Sequence, residues 1–123
     1  MKRTALENWI CSAEGLASLT RSGLEALQLE RLNGLLAREK RRGGFYSGLP
    51  EHLDSLDELS VLPFTTPGDL ASSCSSLLLT STSEVRRIIS GATSGTTGPA
   101  KRVFYTGRDL EHTVGFFAAG ISE

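Results

Sequence analysis

The sequence predicts an α/β chain: N-terminal helices, then a strand, a loop rich in Gly, Ser and Thr, a second strand and a closing helix. Three observations carry that expectation. Leucines recur at helical spacing from about residue 22 to residue 42. Two short runs rich in β-branched and aromatic residues, Val85 to Ser90 and Arg102 to Tyr105, bracket the loop. Behind the second run, Thr106-Gly107-Arg108-Asp109 has the form of a capping box, and Leu110, Val114, Phe117, Ala118 and Ile121 follow with helical period.

Taken in order, residues 4 to 20 read as a short helix carrying Leu6, Trp9, Ile10, Leu16 and Leu19, weakened by Gly15. A stronger helix runs from about Ser22 to Arg42. Leu24, Leu27, Leu32 and Leu35 form its apolar stripe, Leu29 and Leu36 broaden it, and Gly43-Gly44 stop it. A face that wide needs more than one neighbour, and Leu29, Leu36, Phe117 and Ile121 are expected to lack cover. His52 to Leu59 reads as a short amphipathic helix. Leu62 to Leu70 is a proline-punctuated connector in which Thr66 can cap a helical turn starting at Pro67. Ser72 to Ser83 reads equally as a strand or a loop. The organisation is therefore an N-terminal helical segment, residues 1–44, and a second unit, residues 45–123, that contains the loop.

The chain has 123 residues, of which 39% are hydrophobic and 22% charged, with a net charge of −1; this composition suits a soluble globular piece with a modest core. A near-neutral balance argues against nucleic acid as the main partner. The basic run Arg38, Lys40, Arg41 and Arg42 is explained by cations at a helix C-terminus. Cys11 and Cys74 form no Cys-x-x-Cys pair and stand far in sequence from His52 and His112, so no zinc cluster is expected. Glu7, Asn8 and Glu14 interrupt any signal-like apolar region, and no apolar run approaches the ~20 residues of a membrane span. The expected location is the cytoplasm, with free thiols.

The loop itself is Ala92-Thr93-Ser94-Gly95-Thr96-Thr97-Gly98-Pro99-Ala100-Lys101. Gly95 and Gly98 let the backbone turn tightly and bring N–H groups against an anion. Ser94, Thr96 and Thr97 add hydroxyl donors, and Lys101 supplies a positive charge. Such clusters also occur as plain solvated turns. Other phosphate and nucleophile motifs do not fit. Gly98 is followed by Pro99 where a Walker loop needs lysine, the dinucleotide fingerprint lacks its earlier glycine, and Gly91, Ser94 and Gly95 are wrongly spaced for a nucleophile elbow.

The ordering of the loop resembles the phosphate loop of the adenylate-forming superfamily: Thr-Ser-Gly-Thr-Thr-Gly, one variable residue, then Pro-Lys. Thr93 to Gly98 match, Pro99 takes the variable place, Ala100 replaces the proline, and Lys101 keeps the lysine position. The displaced proline alters loop stiffness and leaves the donors in place. Leu56-Asp57-Glu58-Leu59 through Leu62-Pro63-Phe64-Thr65-Thr66 resembles the segment that phenylacetate–CoA ligase relatives carry before the loop. Arg87 to Thr106, with Asp109-Leu110, is similar to their strand, loop, strand and helix. The likeness covers roughly residues 50 to 123, and the N-terminal helices match more loosely.

The resemblance implies an ATP-dependent ligase that joins a carboxylate to AMP, releases pyrophosphate and passes the acyl group to a thiol such as coenzyme A. Thr93, Ser94, Gly95, Thr96, Thr97, Gly98 and Lys101 would then grip the ATP phosphates, supplying charge stabilisation and positioning but no nucleophile or base. The family's adenine-binding segment, magnesium site, ribose-binding aspartate and catalytic lysine lie downstream of such a loop, outside this chain. The implied reading is an N-terminal fragment of the large adenylate-forming domain, inactive alone, whose partners are ATP with Mg2+, the carboxylic acid, CoA and the rest of that domain or a partner chain. Two other readings stand beside it: a stand-alone nucleotide- or phosphate-binding module, and a helical interaction piece in which the loop is a relic.

Overall fold

The computed structural model describes residues 2–91 and 101–122. Helix α1 spans Ala5–Glu14. The Thr4 hydroxyl accepts the Glu7 N–H at 3.1 Å while the Glu7 carboxylate accepts the Thr4 N–H at 2.8 Å, so two helix-end donors are satisfied reciprocally. The helix stops well short of residue 20. Gly15 takes the left-handed conformation, φ 68°, and its N–H bonds back to Cys11, so the glycine that weakens a longer helix here ends it.

Helix α2 spans Arg21–Arg42, with Thr20 as its cap and Gly43 at φ 63° as its stop. The basic residues of its last turn sit among the free helix carbonyls, and Lys40 Nζ donates to the Ser47 carbonyl at 3.2 Å. Its interior side differs from the expected leucine stripe. Leu36, expected to lack cover, is buried, Leu35 is exposed, and Asn33 and Glu39 face inward with Leu36. The Asn33 carboxamide donates to the Leu53 carbonyl and accepts the Leu53 N–H, both at 2.9 Å, pinning Leu53 into the interior. Glu39 is only 2% exposed, and its carboxylate accepts the Tyr46 N–H at 3.4 Å. A Cβ on Gly44 would fall 2.1 Å from Glu39 Oε2, so residue 44 must be glycine for that carboxylate to lie where it does.

The helix expected over His52 to Leu59 is displaced and changed in type: a 3-10 helix occupies Leu56–Val61. The cause is a contact from α2. Asn33 Nδ2 occupies the Leu53 carbonyl, the acceptor an earlier helix would offer to the Asp57 N–H, and Glu58 accepts the N–H groups of Asp54 and Ser55 at 2.9 and 3.0 Å, which marks the helix start after Ser55. Helix α3, Pro67–Ser72, has the expected Thr66 cap and proline start. Residues 73–81 are turns and irregular chain rather than a strand, leading to a 3-10 turn at Thr82–Glu84 that is closed by the Glu84 carboxylate on the Ser81 N–H and the Thr80 hydroxyl.

Strands β1, Val85–Gly91, and β2, Lys101–Thr106, pair antiparallel. Helix α4, Gly107–Ile121, follows without a break, rests on both strands and packs against α1. That last contact centres on Trp9, the chain's single tryptophan, whose ring lies edge-on to His112 and Phe116 with centroids 4.9 and 5.9 Å apart. Gly115 makes the approach possible, since a Cβ there would sit 2.8 Å from Trp9 Nε1. The α/β element order expected from sequence is therefore present, with Cys11, Leu36 and Leu53 the buried apolar residues among those described.

Two glycines in α4 should respond oppositely to alanine. Gly120 meets nothing within 4 Å, so Gly120→Ala should stabilise by about 0.5–1 kcal/mol through helix propensity. Gly115→Ala gains the same term but forces the Trp9 ring aside, at a cost of about 1–3 kcal/mol. Thermal melts followed by Trp9 fluorescence should show a lower midpoint and an altered emission only for Gly115→Ala.

Candidate functional site

The nine-residue segment 92–100 separates the two strands, and six of the predicted site residues, Thr93, Ser94, Gly95, Thr96, Thr97 and Gly98, lie outside the described residues. The frame that carries them is described in full. The antiparallel register pairs Ile88 with Phe104, Ile89 with Val103, Ser90 with Arg102 and Gly91 with Lys101. Residues opposite one another in such a ladder have Cα atoms about 4.5–5.5 Å apart, so the segment leaves and re-enters the sheet at neighbouring points.

Lys101, the seventh predicted site residue, is the first residue of β2 rather than part of the loop, and it is half-buried. The ladder sets its Cα beside Gly91, at the end of the sheet where residues 92–100 join.

The connector resembling the Leu-Pro-Phe-Thr-Thr segment lies beside this frame. Helix α3, which begins directly after it, touches β2. Thr65 shares a hydrogen bond with the Tyr46 hydroxyl, and Thr66 is committed to capping α3: its hydroxyl accepts the Asp69 N–H at 3.2 Å. The Thr66 hydroxyl, and then its backbone N–H, donate to the Asp69 carboxylate and hold Asp69 below its ordinary value.

At the opposite end of the hairpin a hollow of about 240 Å³ is lined by Thr82, Val85, Arg86, Arg87, Ile88 and Phe104. The register slips between Val85 and Arg87, so Arg86 is an inserted residue, a bulge of the kind that re-aims neighbouring side chains. Neither guanidinium has a carboxylate partner among the described residues. Arg86 stands about 16 Å along β1 from Gly91, at about 3.3 Å per residue. Sequence reasoning passed over this pair; the Arg-Arg dipeptide on the strand entering the loop was its one available signal. Cys11 and Cys74 are both free thiols, and among the described residues no group of three or more His, Cys, Asp or Glu side chains could hold a metal ion. No helix among them is long and apolar enough to cross a membrane.

A comparison with curated proteins finds likeness to a phenylacetate-coenzyme A ligase of Thermus thermophilus, 38% identical over 104 residues. The match covers 78% of this chain and 23% of that ligase, so the chain spans about a quarter of the length of the curated relative it matches. No protein-family model matches the chain, and no solved structure does.

Where the second strand ends, Thr106 both closes β2 and caps α4. Its hydroxyl accepts the Asp109 N–H at 3.2 Å, and its own N–H and hydroxyl each donate to Asp109 Oδ2 at 2.8 Å. The backbone N–H first, then the hydroxyl, hold the Asp109 carboxyl below its ordinary value of 3.8. A carboxylate depressed in this way contributes stability that is complete above 3.8 and is lost as the pH falls through its lower native value. Thr106→Ala should therefore destabilise by about 1 kcal/mol near neutrality. Denaturant midpoints measured from pH 7 down to pH 2 should show the gap between wild type and variant narrowing at the acid end.

Proposed function

We propose that this chain is the N-terminal part of an ATP-dependent, AMP-forming acyl- or aryl-CoA ligase, and that it supplies the loop that holds the ATP phosphates. In this reading residues 1–44 are a helical lead-in and residues 45–123 the start of the nucleotide-binding domain. The observation that carries it is the coincidence of two things. The string Thr93 to Gly98 falls in sequence between two strands whose ladder ends at Gly91 and Lys101, and the chain is 38% identical over 104 residues to a phenylacetate-coenzyme A ligase. An unbroken run of hydroxyl and glycine residues between closely apposed strand ends suits a polyphosphate, since backbone N–H and hydroxyl groups can converge on it from one short segment.

The chemistry assigned to these residues is grip and charge compensation. Thr93, Ser94, Gly95, Thr96, Thr97 and Gly98 donate to phosphate oxygens, and Lys101 offsets negative charge as pyrophosphate departs. ATP supplies the adenylyl group that activates the acid. Mg2+, the carboxylic acid and CoA belong to the whole enzyme, and their binding groups lie outside this chain. Alone, the chain therefore positions phosphates without turning over.

Two measurements test this. The purified 123-residue chain should give no acid-dependent exchange of pyrophosphate into ATP; measurable exchange would overturn the division of labour. In the complete enzyme, Lys101→Ala should weaken ATP use by about 1.5–3 kcal/mol, the worth of a charge-assisted contact, and Thr96→Ala by about 0.5–1.5 kcal/mol. Wild-type ATP kinetics in both variants would remove the loop from the nucleotide site.

A further inference from the structure

Side chains of consecutive strand residues alternate between faces, so Arg86 and Arg87 would ordinarily lie on opposite sides of the hairpin. The register slip between Val85 and Arg87 inserts Arg86 into β1, and both arginines line one hollow of about 240 Å³. The stem of Arg86 runs against the start of α4, where Arg86 Cγ lies 3.6 Å from the position a Cβ would take on Gly107. Apart from one hydroxyl, the rest of the lining is apolar. Ile88 and Phe104 are direct partners across the ladder and so share a face, and Val85 adjoins them. Thr82 adds a hydroxyl that makes no hydrogen bond among the described residues. Neither guanidinium meets a carboxylate among those residues. The acids nearest in sequence are engaged elsewhere. Glu84 accepts the Thr80 hydroxyl and the Ser81 N–H and feels the charge of Arg42, and Asp109 accepts the N–H and the hydroxyl of Thr106.

We propose that this hollow binds a small organic phosphate monoester, its phosphate on Arg86 and Arg87 and its one aromatic or branched aliphatic group over Ile88 and Phe104. Charge selects the head group. A monoester phosphate carries about −1.5 to −2 at neutral pH, which matches two guanidiniums, whereas a carboxylate leaves one of them uncompensated. Guanidinium forks take up phosphate oxygens in pairs, and the Thr82 hydroxyl can donate to a further one. Size and lining select the body. Drug-sized ligands occupy about 300–1,000 Å³, so a hollow of about 240 Å³ takes the head group and a single ring. Ile88, 54% exposed in the chain alone, gains the cover it lacks. None of the lining residues lies within 92–101, so the site does not rest on the ligase reading.

The probe is phenyl phosphate, titrated at low salt into the isotope-labelled 123-residue chain and followed by amide chemical shifts and calorimetry. Saturation at one equivalent is expected, with shifts concentrated on residues 82–88 and 104 and an affinity that falls as salt is raised. Inorganic phosphate lacks the apolar body and benzoate the second charge, so each should bind about tenfold more weakly or worse. The double variant Arg86→Gln with Arg87→Gln should lose about tenfold or more in affinity for phenyl phosphate. Both side chains are exposed, so its circular dichroism should be unchanged. Ile88→Thr, which keeps a strand-forming residue, should weaken phenyl phosphate and leave inorganic phosphate unaffected, a split that loss of charge alone does not produce. Arg102→Gln, an exposed cation of the same hairpin, should bind as wild type. A double variant that binds as wild type, benzoate that binds as tightly as phenyl phosphate, or shifts that do not saturate would each overturn the proposal. Shifts centred on Gly91 and Lys101 would also overturn it, by moving the phosphate to the loop end of the hairpin, and would count in favour of the ligase reading.

Discussion

The antiparallel pairing of β1 with β2 is the constraint on which the other features depend. It sets Gly91 beside Lys101, so the segment between them starts and finishes at one place. It also brings Thr106 to the end of β2, where the same residue caps α4 and so sets the direction in which that helix leaves the sheet. From there α4 reaches α1 through the Trp9–Gly115 contact, and the N-terminal helix is held against the unit that carries the loop. Removing the ladder would release Lys101 from Gly91 and free α4 from the strands it rests on.

The interior is thin, and the structure compensates with local hydrogen bonding. Capping boxes close α1, α3, α4 and the turn at Thr82–Glu84, each with an acidic residue three positions after the cap. These arrangements satisfy helix-end donors without demanding a large core. The Asn33–Leu53 and Glu39–Tyr46 contacts satisfy backbone groups in the same way on the inner side of α2. The exposed ion pair Arg21–Glu25 adds little, as solvent-screened pairs do. Local order of this kind gives each element a definite conformation while leaving broad apolar surface without cover.

Three arginines and one lysine place positive charge at both ends of the hairpin. Lys101 and Arg102 begin β2 at the end where residues 92–100 join, and Arg86 and Arg87 stand at the other, around a bulge. The end with Arg86 and Arg87 carries apolar neighbours, Ile88 and Phe104, and lies about 16 Å away by strand rise.

Sequence alone determined the elements whose signals are local. The Thr66-Pro67 and Thr106-Asp109 caps, both strands to within a residue and the Gly43 stop were legible, because each depends on residues within a few positions of one another. Tertiary structure decided the rest. No periodicity selects Glu39 over Leu35 for burial; that follows from where Tyr46 and Leu53 meet α2. The shift of the expected helix to a 3-10 turn at Leu56–Val61 arises because Asn33, twenty residues away, takes both backbone groups of Leu53. The cover found for Leu36, and the lack of it at Phe117 and Ile121, likewise depend on which neighbours are present, and a one-dimensional pattern records only that a side chain is apolar.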